Sequence, residues 1–193
     1  DDGSTSYQAF IATRRGGPSS VSNLLNKNII ALSQDSIAGY AFPLFELAKS
    51  GTNLSNGTTT FDFGTKYNSA TQKFASAQGD AIIGWSSFIG DADTGYSRGT
   101  LKDLVNRYGF AMDNLQVIWK SSNIAHNVHS IRKNVPGEAK AMLRDILQSL
   151  EKNDPVAYDS IEPVYGGGFV IARQQNFFPM INFAKEPLAG IAK

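Results

Sequence analysis

Apolar positions along the chain gather into short runs separated by polar, glycine-rich punctuation. Residues 7–13, with Phe10, Ile11 and Ala12 at their centre, read as a buried strand that stops at Arg14, Arg15, Gly16, Gly17 and Pro18. Ser19 or Ser20 caps a short helix carrying Val21, Leu24 and Leu25, and residues 28–32 form an apolar run of strand length. A polar turn, SQDSIAGY, leads into a helix over 38–49, where Pro43 is tolerated only if it falls in the first turn. A Gly, Asn, Ser and Thr loop over 51–60 precedes a short strand at 60–63 and a helix at 68–78, with Ala70, Phe74 and Ala77 on one face. Strands are predicted at 80–85, 115–119 and 128–131. Between the first two of these, a loop over 90–99 is closed by Thr100-Leu-Lys-Asp103, which has capping-box form with Asp in place of Glu, and Leu101, Leu104 and Tyr108 continue that helix. The clearest helix is 136–150, where Ala139, Met142, Leu143, Ile146, Leu147 and Leu150 make one apolar stripe. Strands alternating with helices predict an α/β fold with mostly parallel sheets, in which ligands bind beyond the carboxyl ends of the strands.

Composition narrows the class. At 193 residues the chain is one large domain or two small lobes. With 41% hydrophobic and 18% charged residues it is neither a self-repelling disordered chain nor a charged coiled coil. A formal net charge of +1 removes the electrostatic case for nonspecific nucleic-acid binding. The absence of cysteine excludes disulfide scaffolds, thiolate metal sites and cysteine nucleophiles. Apolar stretches such as 29–32 and 38–45 are far shorter than the ~20 residues of a membrane span. The start, Asp1 to Tyr7, is acidic and polar rather than basic and apolar like a signal peptide, so the expectation is a removed leader or a sequence beginning inside its gene.

Little in the chain has the form of a catalytic centre. His126 and His129 are the only imidazoles; on a strand their spacing puts them on opposite faces, so no metal site is assigned. The triple glycine 166–168 makes neither GxGxxG nor a P-loop and reads as a tight turn. No GxSxG elbow is present, and Asp80 and Asp103 are explained by a strand end and a helix cap. Two glycosylation sequons, at Asn53 and Asn56, are discounted. The segment after Leu32 carries more. A turn whose amides open a helix stabilises an anion without a charged side chain, and Ser36 adds a hydroxyl; equally, Asp35 or Ser36 simply caps the helix.

Five stretches, GSTSYQAFIATRR, SQDSIAGY, YNSATQKFASAQGD, LQVIWKSSNIAHNVHSIRKNVP and YGGGFV, stand in the order and spacing of phosphonate, phosphate and phosphite binding proteins of bacterial ABC importers. The chain resembles that family over nearly its whole length. The resemblance implies the two-lobed type 2 periplasmic-binding-protein fold, with residues 1–19 and 124–193 in lobe I and residues 20–123 in lobe II. It also implies that the N-terminal part of lobe I is missing, which would leave sheet edges and apolar faces open to self-association. By position, the family's ligand-contacting aromatic falls on Tyr7, and its Ser-Thr-Ser anion turn falls on Ser36, Ile37 and Ala38, so one hydroxyl survives. The family's histidine contact falls on Tyr67. Where aminoalkylphosphonate binders place carboxylates stand Ser87 and Asn127, so 2-aminoethylphosphonate is not expected to be the preferred ligand. The implied role is an extracytoplasmic solute-binding component, lipid-anchored or free. It would capture a small oxyanion for a membrane permease, with no cofactor, no metal, no nucleic acid and no enzymatic activity. A sensory or interaction module of the same fold is the alternative, and a hydrolase is a weaker third.

Overall fold

The computed structural model describes residues 3–55, 58–64, 67–162 and 167–186, with residues 67–69 described for their backbone only. The expected sequon at Asn56 and the first glycine of the triple run, Gly166, lie outside these residues.

The strand-like run at the start becomes β1 (Ser6–Arg14), and the runs that follow become β2 (Asn28–Ala31), β3 (Thr60–Phe63), β4 (Ala81–Ser86) and β5 (Leu115–Lys120). Their order in the sheet is β3-β2-β4-β1-β5, and a short β6 (Ile124–Ala125) pairs with the first residues of β1. β2 runs parallel to β3 and β4, as the alternation of strands and helices predicts. β1, however, is antiparallel to both β4 and β5, so the expectation of a mostly parallel sheet holds for only part of it. The reason is directional. β1 enters with Gln8 opposite Ser86, at the carboxyl end of β4, and runs against its neighbour, whereas β5 carries the chain back the way β1 came. The ladder between β1 and β5 shifts register between Ile11 and Ala12.

Alternation along the strands feeds two cores. Phe10, Ala12, Ile30 and Ile82 face Ala70 and Phe74 of α2 (Tyr67–Ala75) and Leu101 and Leu104 of α3 (Thr100–Tyr108). Ile11, Ile29 and Ile83, one position away, face Leu44 and Leu47 of α1 (Phe42–Lys49) together with Leu24 and Leu54. Each fully buried Ile, Leu or Phe side chain among these contributes about 1.5–3 kcal/mol. The chain thus reads correctly as a helix-covered sheet because the period of two and the period of 3.6 are both unbroken where the core lies.

Three local expectations change. The capping box at Thr100 is not formed: Gly99, with φ 113°, occupies the cap position, and the Thr100 hydroxyl instead accepts from the Trp85 N–H at 3.1 Å. Asp103 is free of that role and pairs through Oδ1 with Nε of Arg107 at 3.0 Å. Residues 128–131 are not a strand; β6 takes up the pairing just before them, and Val128 and Ile131 stay exposed because no described strand offers them a ladder.

The predicted helix at 136–150 forms as α4 (Gly137–Asn153), but its stripe is not buried. Met142, Leu143 and Ile146 are exposed, and α4 packs mainly on α5 (Pro155–Ile161), whose start is capped by Asp154 accepting from the Ala157 N–H at 3.0 Å. The last helix, α6 (Phe178–Lys185), turns back to α1. Phe183 stands edge-on to Phe42 and Phe45 with ring centroids 5.6 and 5.2 Å apart, and Lys49 pairs with Glu186.

Candidate functional site

Three strand-to-helix junctions open at one end of the sheet, because β2, β3 and β4 are parallel and each is followed by a helix. The first is unusual in its winding. Ser36, with φ −76° and ψ 117°, is the cap of a π turn over Ile37–Ala41 that runs directly into α1. Its hydroxyl oxygen accepts from the Gly39 N–H at 3.0 Å, its carbonyl accepts from the Ala41 N–H at 3.1 Å, and its own N–H donates to Ser33 O at 3.1 Å. The wide turn makes room for Pro43: the carbonyl of Gly39, four residues back, is taken by the Leu32 N–H at 3.3 Å, so the missing donor costs nothing there. A Cβ on Gly39 would come within 2.6 Å of the Leu32 side chain, which accounts for glycine at that position.

What this leaves over is two donors. Among the described residues the N–H groups of Ile37 and Ala38 have no protein acceptor, and they stand at the positive end of a helix running from Ile37 to Lys49. They border a cavity of about 540 Å³. Tyr7 and Trp85, with ring centroids 5.3 Å apart and edge-on, form its aromatic side. α2 contributes Thr71, and α3 contributes Thr100 and Asp103. The head of α3 reaches the cavity because Gly84 has no side chain: a Cβ there would lie 2.6 Å from the Thr100 hydroxyl.

Among the described residues no Lys or Arg lines this cavity, whereas Asp35 and Asp103 do, so the donors that the described residues offer an anion there are backbone amides and hydroxyls. Asp35 is exposed to water, while the Asp103 side chain is 28% exposed and tied to Arg107. Tyr40, in the same turn, packs edge-on to Phe61 and Phe63, and burial pushes its phenol pKa up, so it serves as a neutral wall.

Of the residues singled out from sequence, the structure brings Tyr7, Ser36, Ile37 and Ala38 together at this cavity. Tyr67 is the first residue of α2, whose next turn delivers Thr71, but its side chain lies outside the described residues. Ser87 does not line the cavity; its hydroxyl pairs with that of Ser97 at 2.7 Å, holding the 90–99 loop. Asn127 lines a different cavity of about 680 Å³, between the segment after β6 and the residues around Phe169. His126 stacks against Tyr7 at 5.4 Å and His129 stands edge-on to Phe169 at 5.1 Å, so the two imidazoles go separate ways. In the second cavity the Tyr158 phenol accepts from the Gly168 N–H at 3.1 Å, and burial is the largest influence raising its pKa.

Sequence reasoning missed Thr71, Trp85 and Thr100, and it read Asp103 as a cap. Their common signal is position: each stands at the end of a parallel strand or within the first turns of the helix that follows one.

The sequence matches, over residues 1–177, the model of a family described as ABC transporter, phosphonate, periplasmic substrate-binding protein. No curated protein matches it. Among solved structures, the binding protein component of an ABC phosphonate transporter from Pseudomonas aeruginosa aligns with TM-score 0.58 at 16% identity, covering 94% of this chain and 57% of that one. A Xanthomonas citri protein bound to chloride aligns with TM-score 0.63 at 13% identity over 93% of this chain and 65% of that one. PhnD1 from Prochlorococcus marinus in complex with methylphosphonate aligns with TM-score 0.56 at 11% identity, over 94% of this chain and 66% of that one. At such identities the likeness is one of fold, and this chain spans between 57% and 66% of the length of these structures.

Proposed function

The chain belongs to the family of periplasmic substrate-binding proteins of phosphonate ABC transporters, and from that premise we propose that it captures a small oxyanion of the phosphate, phosphite or phosphonate class and passes it to a membrane permease. The observation that carries this reading is the pair of unpartnered amides at Ile37 and Ala38, facing a cavity at the head of a helix. Each hydrogen bond from such a donor to a charged oxygen contributes about 1.5–3 kcal/mol. Ser36 adds its hydroxyl proton, since its oxygen is already used as an acceptor for Gly39. Tyr7 and Trp85 shield the ligand from water and Tyr67 stands at the head of the helix opposite, while Ser87, bonded to Ser97, and Asn127, in the second cavity, are uncharged. With no ammonium partner at those two positions, 2-aminoethylphosphonate is expected to bind no tighter than methylphosphonate.

The lobes in this reading are residues 20–123 on one side and 1–19 with 124–193 on the other, the cleft closing by a hinge between them. The family is a transport component rather than an enzyme, and we extend that to a non-catalytic role here, outside the cytoplasm, either free or lipid-anchored near the permease. Calorimetric titration with phosphate, phosphite and methylphosphonate tests the reading: binding of at least one in the micromolar range or below is expected, and no heat or thermal shift with any of them at millimolar concentration refutes it.

Self-association belongs to the same proposal. Its support is the row Met142, Leu143 and Ile146, exposed on α4 with no described element over it. Light scattering is expected to find a species larger than the monomer, and Ile146→Glu is expected to return it to monomer while leaving the unfolding temperature within ~2 °C, because a half-exposed side chain carries little of the core. A wild-type monomer at all concentrations would count against it.

A further inference from the structure

We propose that the second cavity is a slot for an added β-strand, and that it takes an extended segment of another polypeptide in which apolar residues alternate with Asp or Glu. It shares no lining residue with the anion cavity. Its two walls are runs with strand chemistry and no strand partner. Residues 126–132, just after β6, and residues 168–173 contain neither helix nor turn. Each run has β-branched residues suited to a pleated ladder, Val128 and Ile131 in the first and Val170 and Ile171 in the second, and all four are exposed. The last rung of pairing before the first run is the His126 N–H, which donates to Thr5 O at 3.2 Å. Beyond it, among the described residues, no N–H or carbonyl of residues 127–131 or 169–172 is hydrogen-bonded.

Both runs line the same cavity of about 680 Å³, and the rings of His129 and Phe169, 5.1 Å apart, hold them to each other. A strand laid along either run satisfies its peptide groups, and one laid between them satisfies both while covering the exposed side chains. The charges decide which segment fits. Lys140, Arg144 and Arg173 line the cavity against one carboxylate, Glu162. Lys140 Nζ already donates to Lys133 O at 2.7 Å, but among the described residues neither Arg144 nor Arg173 has an acceptor for its guanidinium. Carboxylates on the incoming strand would pair with these two groups in charge-assisted hydrogen bonds. A second copy of this chain fits worse, because its own open runs carry Arg173 and lead into Arg132 and Lys133, which would set like charges against the lining. Were the cavity only a gap between loops, an anionic peptide would be held by charge alone, with no use for its backbone.

The experiment is fluorescence anisotropy of a labelled synthetic peptide of about nine residues, alternating valine with glutamate, titrated with the full chain at ~0.1 M salt. Binding in the micromolar range is expected. Two control peptides divide the contributions: lysine in place of each glutamate removes the charge match, and proline in place of the central valines removes backbone donors at equal charge. Each is expected to bind at least ~10-fold more weakly. Hydrogen exchange is expected to slow at residues 127–131 and 169–172 in the complex. In the double variant Arg144→Glu with Arg173→Glu, both exposed positions, preference is expected to reverse toward the lysine peptide. Equal binding of the valine and proline peptides means attraction by charge alone and overturns the proposal, and so does binding of no peptide. Protection of the same amides that appears without peptide and grows with protein concentration assigns the slot to a second copy and overturns it too. The peptide comparison and the exchange pattern are both read on wild-type protein, so they decide the matter even where the variant does not fold.

Discussion

Replacing Ile37 by proline is expected to weaken methylphosphonate binding roughly 10- to 150-fold while leaving the fold intact, because it deletes one amide donor and little else. Proline is suited to the first position of a helix, where its fixed φ is already helical and its missing N–H has no intrahelical partner. The residue before it must be extended, and Ser36, at φ −76° and ψ 117°, already is. The isoleucine side chain itself is 47% exposed and contributes little to the core. The unfolding temperature should therefore stay within ~4 °C of wild type. Ile37→Ala, which keeps the donor, should bind within about 2-fold of wild type, separating the amide from the side chain. Calorimetry on the three proteins reads the result directly, and wild-type affinity in the proline variant would mean that this amide does not touch the ligand.

Phe74→Ala is expected to be the most damaging single truncation for stability, at about 3–5 kcal/mol, or a fall of roughly 6–20 °C in Tm. Phe74 is fully buried on the inner face of α2, where it joins that helix to the sheet, and its ring lies 5.8 Å from Phe110. Its other face carries the guanidinium of Arg14, 4.2 Å from the ring centroid, and Arg14 also donates to the Phe74 carbonyl and to Gly79 O. Burial lowers the Arg14 pKa and the charge of Asp80 pulls it back up, so the cation relies on these contacts to stay comfortable out of water. Truncation removes both the packing and the cation's aromatic face. Chemical denaturation should show a lower midpoint; a loss below 1 kcal/mol would mean that α2 is not held through this residue.

The parts of the fold legible in the sequence are those where burial alone decides. β1, β2 and β4 were readable as apolar runs because they lie inside the sheet, and α2 and α3 because one face of each meets it. Strand direction was not readable: the run at 7–13 looks the same whether it runs with or against its neighbours, and direction depends on where the chain enters. α4 shows the converse case, a correct period whose partner is not among the described elements.

The candidate site divides in the same way. The Ser36 to Ala38 turn could be found because a polar turn between a strand and a helix has its own signature, and Tyr7 came from the family likeness. Thr71, Trp85, Thr100 and Asp103 reach the cavity only through tertiary geometry. Asp103 was misread because a carboxylate three residues after a threonine has the form of a cap, and only the swing of the Thr100 hydroxyl toward Trp85 reveals that it is not one.

The aromatic seam between α6 and α1 makes the tail of the chain a lever on the helix that bears the exposed donors. A dye, linker or immobilising tether fixed near Glu186 would load that seam, and one fixed in the 51–55 loop would press on the same helix, since Leu54 packs with Leu44 and Leu47 and the Thr52 N–H donates to Leu47 O at 2.8 Å. Reporters of ligand occupancy suit either attachment, and surfaces for capture assays suit neither.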